Sequence, residues 1–110
     1  MKKFYLFCSA GMSTSLLASK MQKVADANKI PVEVKAFPIG TMGDVIEKHN
    51  PDCILLGPQV KYLYEDTKKR YSALNKPIFV IDSEDYGVMN GERVLKTAIM
   101  GYKKHMKENA

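Results

Sequence analysis

The fold is decided by the opening of the chain, which reads Lys3-Phe4-Tyr5-Leu6-Phe7-Cys8-Ser9-Ala10-Gly11-Met12-Ser13-Thr14-Ser15. The apolar and aromatic run that ends at Cys8 is typical of a strand, and the small residues after it indicate a tight loop. The hydroxyl side chains at positions 13–15 are favourable helix N-caps. Apolar residues then recur at helical spacing from Leu17 to Val24, and Pro31 limits the helix. This stretch therefore predicts a strand, a loop and a helix in succession.

The alternation of strand and helix continues along the chain. The apolar runs Asp52–Gly57 and Pro77–Asp82 are typical of strands covered on both faces, whereas Val32–Phe37 alternates like an edge strand. A loop is predicted over Ser83–Gly91, which contains two glycines. Further segments show the apolar spacing of helices: Met42–His49, Pro58–Leu74 and Val94–Met106.

Strands that alternate with helices are typical of α/β proteins. We predict one domain, residues 1–110, built on a doubly wound, four-stranded parallel sheet with helices on both faces. The expected architecture is that of flavodoxins and small tyrosine phosphatases, with strand order 2-1-3-4. In such sheets ligands bind at the carboxyl ends of the strands.

The composition agrees with a small globular protein. Its 110 residues are 45% hydrophobic and 26% charged, which excludes disorder and fibrous structure. No run approaches the ~18 apolar residues of a membrane helix, and Phe4–Phe7 is too short for the apolar core of a signal peptide. We therefore expect a cytoplasmic protein with reduced thiols. The net charge of +5 permits nucleic-acid binding, but Arg70 and Arg93 are the only arginines and tryptophan is absent, so no nucleic-acid partner is expected.

The candidate site is Cys8 with the loop that follows it. The candidate phosphate-binding residues are Ser9, Ala10, Gly11, Met12, Ser13, Thr14 and Ser15. Backbone N–H groups of such a loop can converge on an anion, and the helix N-terminus adds partial positive charge. Both effects favour a thiolate at Cys8 and a phosphoryl group on its sulfur. The alternative is an ordinary strand–loop–helix corner with a buried cysteine.

The spacing after Cys8 separates a carrier from a hydrolase. Small tyrosine phosphatases and arsenate reductases of similar architecture place an arginine six positions after the nucleophilic cysteine. That position is Thr14 here, and Asp85-Tyr86 lacks the proline of an Asp-Pro general acid. A site that accepts phosphate but is poorly equipped to hydrolyse it would be a phosphoryl relay. A cysteine phosphatase and a flavodoxin-like binding module are the alternatives.

The chain resembles the IIB components of the lactose/cellobiose/chitobiose group of the bacterial phosphoenolpyruvate-dependent sugar phosphotransferase system (PTS). It looks most similar to the cellobiose-type members. The resemblance covers essentially the whole chain, as a single IIB-type domain, and it is carried by Tyr5–Leu17, Ile54–Gln59, Ile81–Ser83 and Tyr86-Gly87.

The resemblance implies a phosphotransferase component that works through phosphocysteine. The phosphohistidine of a IIA protein would give its phosphoryl group to Cys8. The phosphocysteine would then pass it to a sugar, such as the β-linked disaccharide cellobiose, bound in the membrane permease IIC. The family's phosphate loop falls on residues 9–15 of this sequence.

Other chemically interesting residues have simpler interpretations. Gln59 and Tyr86 follow neighbouring strands and are candidate supporting residues of the site. Cys53 lies within an apolar strand and is expected to be part of the core. His49 and His105 are isolated from other ligands, so we expect no metal site, and no cofactor is expected.

Overall fold

The structure, a computed structural model, describes residues 1–9 and 12–108, along which strands alternate with helices. The strands are β1 (Lys2–Cys8), β2 (Val32–Pro38), β3 (Cys53–Leu56) and β4 (Ile78–Val80). The α-helices are α1 (Met12–Ala27), α2 (Met42–His49), α3 (Tyr64–Arg70), α4 (Ser83–Gly87) and α5 (Gly91–Glu108). Short 3-10 helices cover Ile39–Thr41, Pro58–Leu63 and Ser72–Leu74.

The strands form one parallel sheet in the order β2-β1-β3-β4. β1 is therefore central and is paired on both sides. Its register places Cys8 opposite Pro38 of β2 and Phe7 opposite Leu56 of β3, and Leu56 in turn pairs with Val80. The predicted fold class, the strand order and the edge position of β2 are confirmed.

Helices cover both faces of the sheet. Because successive side chains of β1 point to opposite faces, this strand contributes to the core on each side. Phe4 and Leu6 belong to a core formed with α1 and α5. Tyr5 and Phe7 belong to a second core, formed with α2 and the 3-10 helix Pro58–Leu63. All four of these β1 side chains are at most 2% exposed, so the strand is covered on both faces from Phe4 onward.

The segment after Pro58 is not the single helix that we predicted. Val60 has the non-helical dihedral angles φ −116° and ψ 21°, and its side chain is 1% exposed. Core packing of this side chain overrides the helical pattern of the segment, which breaks into two 3-10 helices and α3. Leu74, predicted on the apolar stripe, is 44% exposed.

The predicted loop over Ser83–Gly91 contains the short helix α4. The carboxylate of Asp82 accepts hydrogen bonds from the backbone N–H groups of Glu84 and Asp85, both at 3.1 Å, and so caps the helix. We predicted Asp82 as the end of a strand, but β4 already ends at Val80. The two glycines in this segment indicated a loop, although Asp82 is a favourable N-cap residue and indicates the start of a helix.

Gly91 allows α5 to pack directly on α1. A Cβ atom at this position would lie 2.8 Å from Lys20 Cβ and 3.0 Å from the backbone nitrogen of Met21. These atoms sit on or next to the α1 backbone and cannot move aside independently of the helix. The close approach of the two helices therefore requires glycine.

Tyr5 links the central strand to the edge strand through its side chain. It is 1% exposed, and its hydroxyl donates to Glu33 Oε1 at 2.6 Å. Burial, followed by this hydrogen bond, raises the pKa of Tyr5 above its usual range. The same hydrogen bond lowers the pKa of Glu33 from its ordinary value of 4.5. The neighbouring Lys35 Nζ, at 3.5 Å, is largely exposed and adds little.

We expect Gly91→Ala to lower the free energy of unfolding by about 2 kcal/mol, because the added methyl group must push α1 and α5 apart. Urea unfolding followed by circular dichroism measures the change. Gly87→Ala is the matched control, since nothing lies within 4 Å of its Cβ position. The control should leave stability unchanged or raise it by up to about 1 kcal/mol. Equal losses in both variants would contradict the packing argument.

We expect acid to destabilise the protein in part through Glu33. Because its pKa is lower in the folded state, its contribution is complete above about pH 4.5 and is lost as the pH falls through the lowered value. Tyr5→Phe should reduce both the stability at neutral pH and this acid-side loss. Urea unfolding at several pH values down to about pH 3 measures both.

Glu33→Gln serves as the control for this pH dependence, because its amide takes up no proton in this range. It should flatten the acid side of the stability profile at least as much as Tyr5→Phe does. An acid-side slope that neither variant changes would assign the loss to other carboxylates.

Candidate functional site

The candidate site lies at the carboxyl edge of the sheet. Cys8 is the last residue of β1, its thiol is free, and it is 3% exposed. It lines an open cleft of about 560 Å³ between α1 and the end of β2. Leu16, Phe37 and Pro38 form the apolar wall of this cleft. No local motif in the sequence marks this wall, but the pairing of β2 with β1 explains why the last residues of β2 meet Cys8.

Thr14 holds the sulfur of Cys8 in place. Its Oγ1 donates a hydrogen bond to Cys8 Sγ at 2.7 Å, and Thr14 is 1% exposed. The same Oγ1 lies 2.9 Å from the hydroxyl oxygen of Tyr86. Since Thr14 has a single hydroxyl proton, which it gives to the sulfur, Tyr86 is the donor in the second bond. The three side chains form a directed chain from Tyr86 through Thr14 to the sulfur.

This hydrogen-bond chain places a hydroxyl donor against the sulfur of Cys8. A hydrogen bond from Thr14 to sulfur is stronger when the sulfur is a thiolate. Thr14 also lies in the first turn of α1, so the partial positive charge of the helix N-terminus is beside the sulfur. Tyr86 is held by α4, the helix that Asp82 caps. The carboxylate of Asp82 is thus engaged with backbone N–H groups.

Gly57 brings the neighbouring strand up against the site. A Cβ atom at this position would lie 3.0 Å from Cys8 Cβ and 2.9 Å from Gln59 Oε1. The Gly57 N–H donates to the carbonyl oxygen of Phe7 at 2.8 Å, which fixes this approach. Only glycine leaves the space that Cys8 and Gln59 share.

The predicted loop residues fall into three groups in the structure. Ser9 and Ser13 are exposed, whereas Ser15 lines the cleft. Met12 begins α1. Ala10 and Gly11, together with the side chain of Met12, lie outside the described residues. The convergence of loop N–H groups on an anion therefore stays a prediction.

The cleft offers hydroxyl groups and no charged side chain among its described lining residues. The position six residues after Cys8, occupied by arginine in the phosphatases, presents the Thr14 hydroxyl to the sulfur. Within residues 1–9 and 12–108, no three His, Cys, Asp or Glu side chains are grouped as a metal site would need. The chemistry available here is that of a thiol assisted by hydroxyl groups.

Cys53 is buried in the core, as predicted. It lies in β3, is 0% exposed and packs among the residues of the α1–α5 core. Burial, and to a smaller degree the charge of Asp52, raises the pKa of the Cys53 thiol above its usual range. A thiol of this kind is inert under physiological conditions.

Fold and site together define a doubly wound α/β protein with a cysteine-centred site at the end of its central strand. Residues 3–97 match the family described as "PTS system, Lactose/Cellobiose specific IIB subunit", and the chain belongs to this family. IIB components of this system work with IIA and IIC components. The family resemblance stated from the sequence is thereby confirmed.

Individual relatives agree with this assignment. The chain is 40% identical over 100 residues to the PTS system galactose-specific EIIB component of Lactococcus lactis subsp. cremoris. It is equally identical, over the same length, to the cellobiose-specific EIIB component of Lactococcus lactis subsp. lactis. Each match covers 88% of this chain and 93% of the relative.

A solved structure shares the fold. The solution structure of the cellobiose-specific phosphotransferase IIB component from Borrelia burgdorferi superposes with a TM-score of 0.71 at 28% identity, covering 94% of both chains.

Within the described part of this chain, no helix combines the length and apolar character needed to cross a bilayer.

We expect iodoacetamide to modify Cys8 at least about tenfold faster than Cys53 in the native protein, because Cys8 lines an open cleft and Cys53 is enclosed. Peptide mass spectrometry after timed quenching measures the two rates. In urea the two rates should converge, which controls for intrinsic differences. Equal rates under native conditions would show that Cys53 is accessible.

Proposed function

We propose that this chain is the phosphoryl carrier of a sugar PTS and that Cys8 is its catalytic nucleophile. The single observation that carries the proposal is the free thiol of Cys8 at the end of the central strand, held by the Thr14 hydroxyl at 2.7 Å. Membership of the lactose/cellobiose-specific IIB family supports it. The partners are a IIA phosphohistidine protein as donor and a IIC permease with bound sugar as acceptor.

In the first step Cys8 gives up its thiol proton and the thiolate attacks the phosphorus of the phosphohistidine. The sulfur–phosphorus bond forms, the nitrogen–phosphorus bond breaks, and the imidazole of the donor keeps the electron pair of the broken bond and takes up the proton, so it leaves as neutral imidazole. Thr14 stabilises the thiolate before attack through its hydrogen bond. The loop 9–15 is proposed to receive the phosphoryl oxygens through its backbone N–H groups.

In the second step a sugar hydroxyl attacks the phosphorus and the sulfur leaves as thiolate. The proton of the sugar hydroxyl passes to a base on the acceptor side. The hydrogen bond from Thr14 now stabilises the leaving sulfur, so the same bond assists both acceptance and release. A carrier needs this symmetry, because it is phosphorylated and dephosphorylated once in each cycle.

The uncharged cleft favours transfer between proteins over hydrolysis. An arginine fork would stabilise the equatorial phosphoryl oxygens during attack by water. Thr14 supplies a hydrogen bond in its place, and the described cleft residues supply no positive charge. The phosphocysteine should therefore survive until the permease completes the site.

The substrate class is that of the family, lactose- and cellobiose-type sugars, and we propose a β-linked disaccharide such as cellobiose. Relatives named for galactose and for cellobiose are equally identical to this chain, which supports a sugar choice made in the permease. We place the relay in the cytoplasm, where both free thiols stay reduced.

We expect Cys8→Ser to fold and to carry no phosphoryl group through to sugar, because a serine hydroxyl is far less ionised and is a poorer leaving group. Incubation with a phosphorylated IIA protein, followed by intact mass spectrometry, measures the adduct. Sugar phosphorylation with permease membranes measures the onward step.

Cys53→Ser is the matched control for this experiment. It should accept phosphate at the wild-type rate while losing stability, because it places a hydroxyl in the core. Transfer that survives in Cys8→Ser would overturn the proposal. Rapid release of phosphate from isolated wild-type protein would indicate a phosphatase, and no adduct at all would indicate a binding module.

We expect Thr14→Val to slow phosphoryl transfer at least about tenfold, since it removes a hydrogen bond to a charged group. Tyr86→Phe should cost a few-fold, because Tyr86 is a positioning residue that acts through Thr14. Thr14→Ser, which keeps the hydroxyl, should recover most of the rate. Rapid-quench measurements of transfer from phosphorylated IIA give these rates.

The double variant Thr14→Val/Tyr86→Phe tests the order of the hydrogen-bond chain. It should be no slower than Thr14→Val alone, because Tyr86 has nothing to orient once the threonine hydroxyl is absent. Fully additive losses would show that Tyr86 acts on the phosphoryl group directly.

A further inference from the structure

A second concave surface lies at the amino edge of the sheet, opposite the edge that carries Cys8. A cavity of about 500 Å³ opens where β1 and β2 begin, between the end of α1 and the last turns of α5. This volume is typical of sites for small organic ligands. The phosphoryl relay uses none of its residues.

The floor of this cavity is apolar. The rings of Phe4 and Tyr102 are stacked, with centroids 5.4 Å apart and planes 6° apart, so Phe4 covers one face of the Tyr102 ring. Ile30 and Ile99 extend the floor, and both also line an adjoining cavity of about 360 Å³ between α1 and α5. The floor therefore offers aromatic and aliphatic side chains to an apolar ligand.

The rim of the cavity is basic. Lys2, Lys29 and Lys103 line it, all three are exposed, and no acidic residue is among its described lining residues. Lys2 Nζ lies 5.8 Å from the centroid of the Tyr102 ring, so one ammonium group is already placed over the floor. The negative charge of Asp52, which is not a lining residue of this cavity, also interacts with Lys2.

Lys29 adopts a backbone conformation that disfavours lysine. Its φ is 55°, in the left-handed region, two residues after the end of α1. Glycine or asparagine is the usual residue in this conformation, as at Asn50 after α2 and Asn75 after the 3-10 helix Ser72–Leu74, while Met89 adopts it after α4. Lysine here costs on the order of 1 kcal/mol relative to glycine. What its side chain contributes is positive charge at the rim of the cavity.

We propose that this cavity binds a small organic anion that has an apolar body and one anionic group. The apolar body would lie on Ile30, Ile99 and the Tyr102 ring, and the anionic group would pair with the ammonium groups of Lys29 and Lys103. Charge complementarity and the apolar floor together select this ligand class over neutral or cationic ones. The site is distinct from the phosphoryl relay and does not depend on it.

Anilinonaphthalene sulfonate, a flat aromatic anion whose fluorescence rises in apolar surroundings, is the probe. Fluorescence titration of the native wild-type protein at low salt should give saturable binding. Lys29→Gln/Lys103→Gln should weaken the affinity about tenfold, since two favourable charge contacts are removed. Lys48→Gln/Lys69→Gln is the matched control, because it removes the same charge from exposed positions on α2 and α3, which are not part of this cavity.

Two further measurements keep the test decisive. On probe binding, the methyl NMR signals of Ile30 and Ile99 should shift and those of Ile46, in the opposite core, should not. Lys29→Gly should weaken binding while raising stability, which separates a role in binding from a structural role. Phosphoryl transfer should be unchanged in all these variants.

Several results would overturn the proposal. Undetectable binding, equal weakening in both double variants, or shifts confined to other cavities would each do so. Probe displacement that grows with protein concentration, accompanied by dimers in sedimentation, would show that a second copy of the chain covers this surface.

Discussion

The whole structure depends on the pairing of β1 with a strand on each side. Because both edges of β1 are hydrogen-bonded and both faces are covered from Phe4 onward, the side chains of residues 4–8 are almost fully removed from water. The side chains on each face of β1 belong to a separate core, one formed with α1 and α5 and the other with α2. The fixed end of this strand is where Cys8 lies. The proposed nucleophile thus lies on a strand that is paired on both sides and needs little further ordering to be aligned for reaction.

In the candidate site, dipoles and no formal charges of the described residues lie next to the sulfur of Cys8. The sulfur of Cys8 meets a hydroxyl group and the start of a helix, and the described cleft residues are uncharged. A formal positive charge would bind a phosphoryl group more tightly and would also assist its hydrolysis. In the proposed carrier, dipoles would stabilise the anion enough for exchange between partners while holding it weakly. A threonine at position 14 thus fits the proposed carrier role, because it supplies a hydrogen bond to the sulfur and no formal positive charge.

Much of the fold was predictable because local signals and the tertiary structure agree. The aromatic run before Cys8, the small-residue loop and the apolar strands indicated a doubly wound parallel sheet, and its strand order is confirmed. The prediction was wrong where tertiary packing overrides local pattern, as at Val60, and where a capping aspartate was outweighed by nearby glycines, as at Asp82.

The site was only partly predictable, for a similar reason. Cys8 stood out because one segment carries the strand end, the thiol and the loop. Thr14, which donates to its sulfur, lies in the same segment, but the group that orients Thr14 comes from a distant part of the chain, and no local pattern indicates that Tyr86 reaches it. The closeness of Gly57 to Cys8 likewise depends on strand register, which the sequence does not display.

The hydrogen bond between Thr14 and Tyr86 joins residues 72 positions apart, and this separation bears on the stage of folding at which the site is completed. Contacts of such long sequence separation carry a large loop-closure entropy and form late. The strand end and the first helix turn can meet early, but the hydroxyl chain is complete only when α4 has docked after β4. A chain still emerging from the ribosome, or cut before α4, holds the thiol without the group that orients its hydrogen-bond donor. In the proposed carrier, the complete hydrogen-bond chain at Cys8 is therefore a property of the fully folded protein.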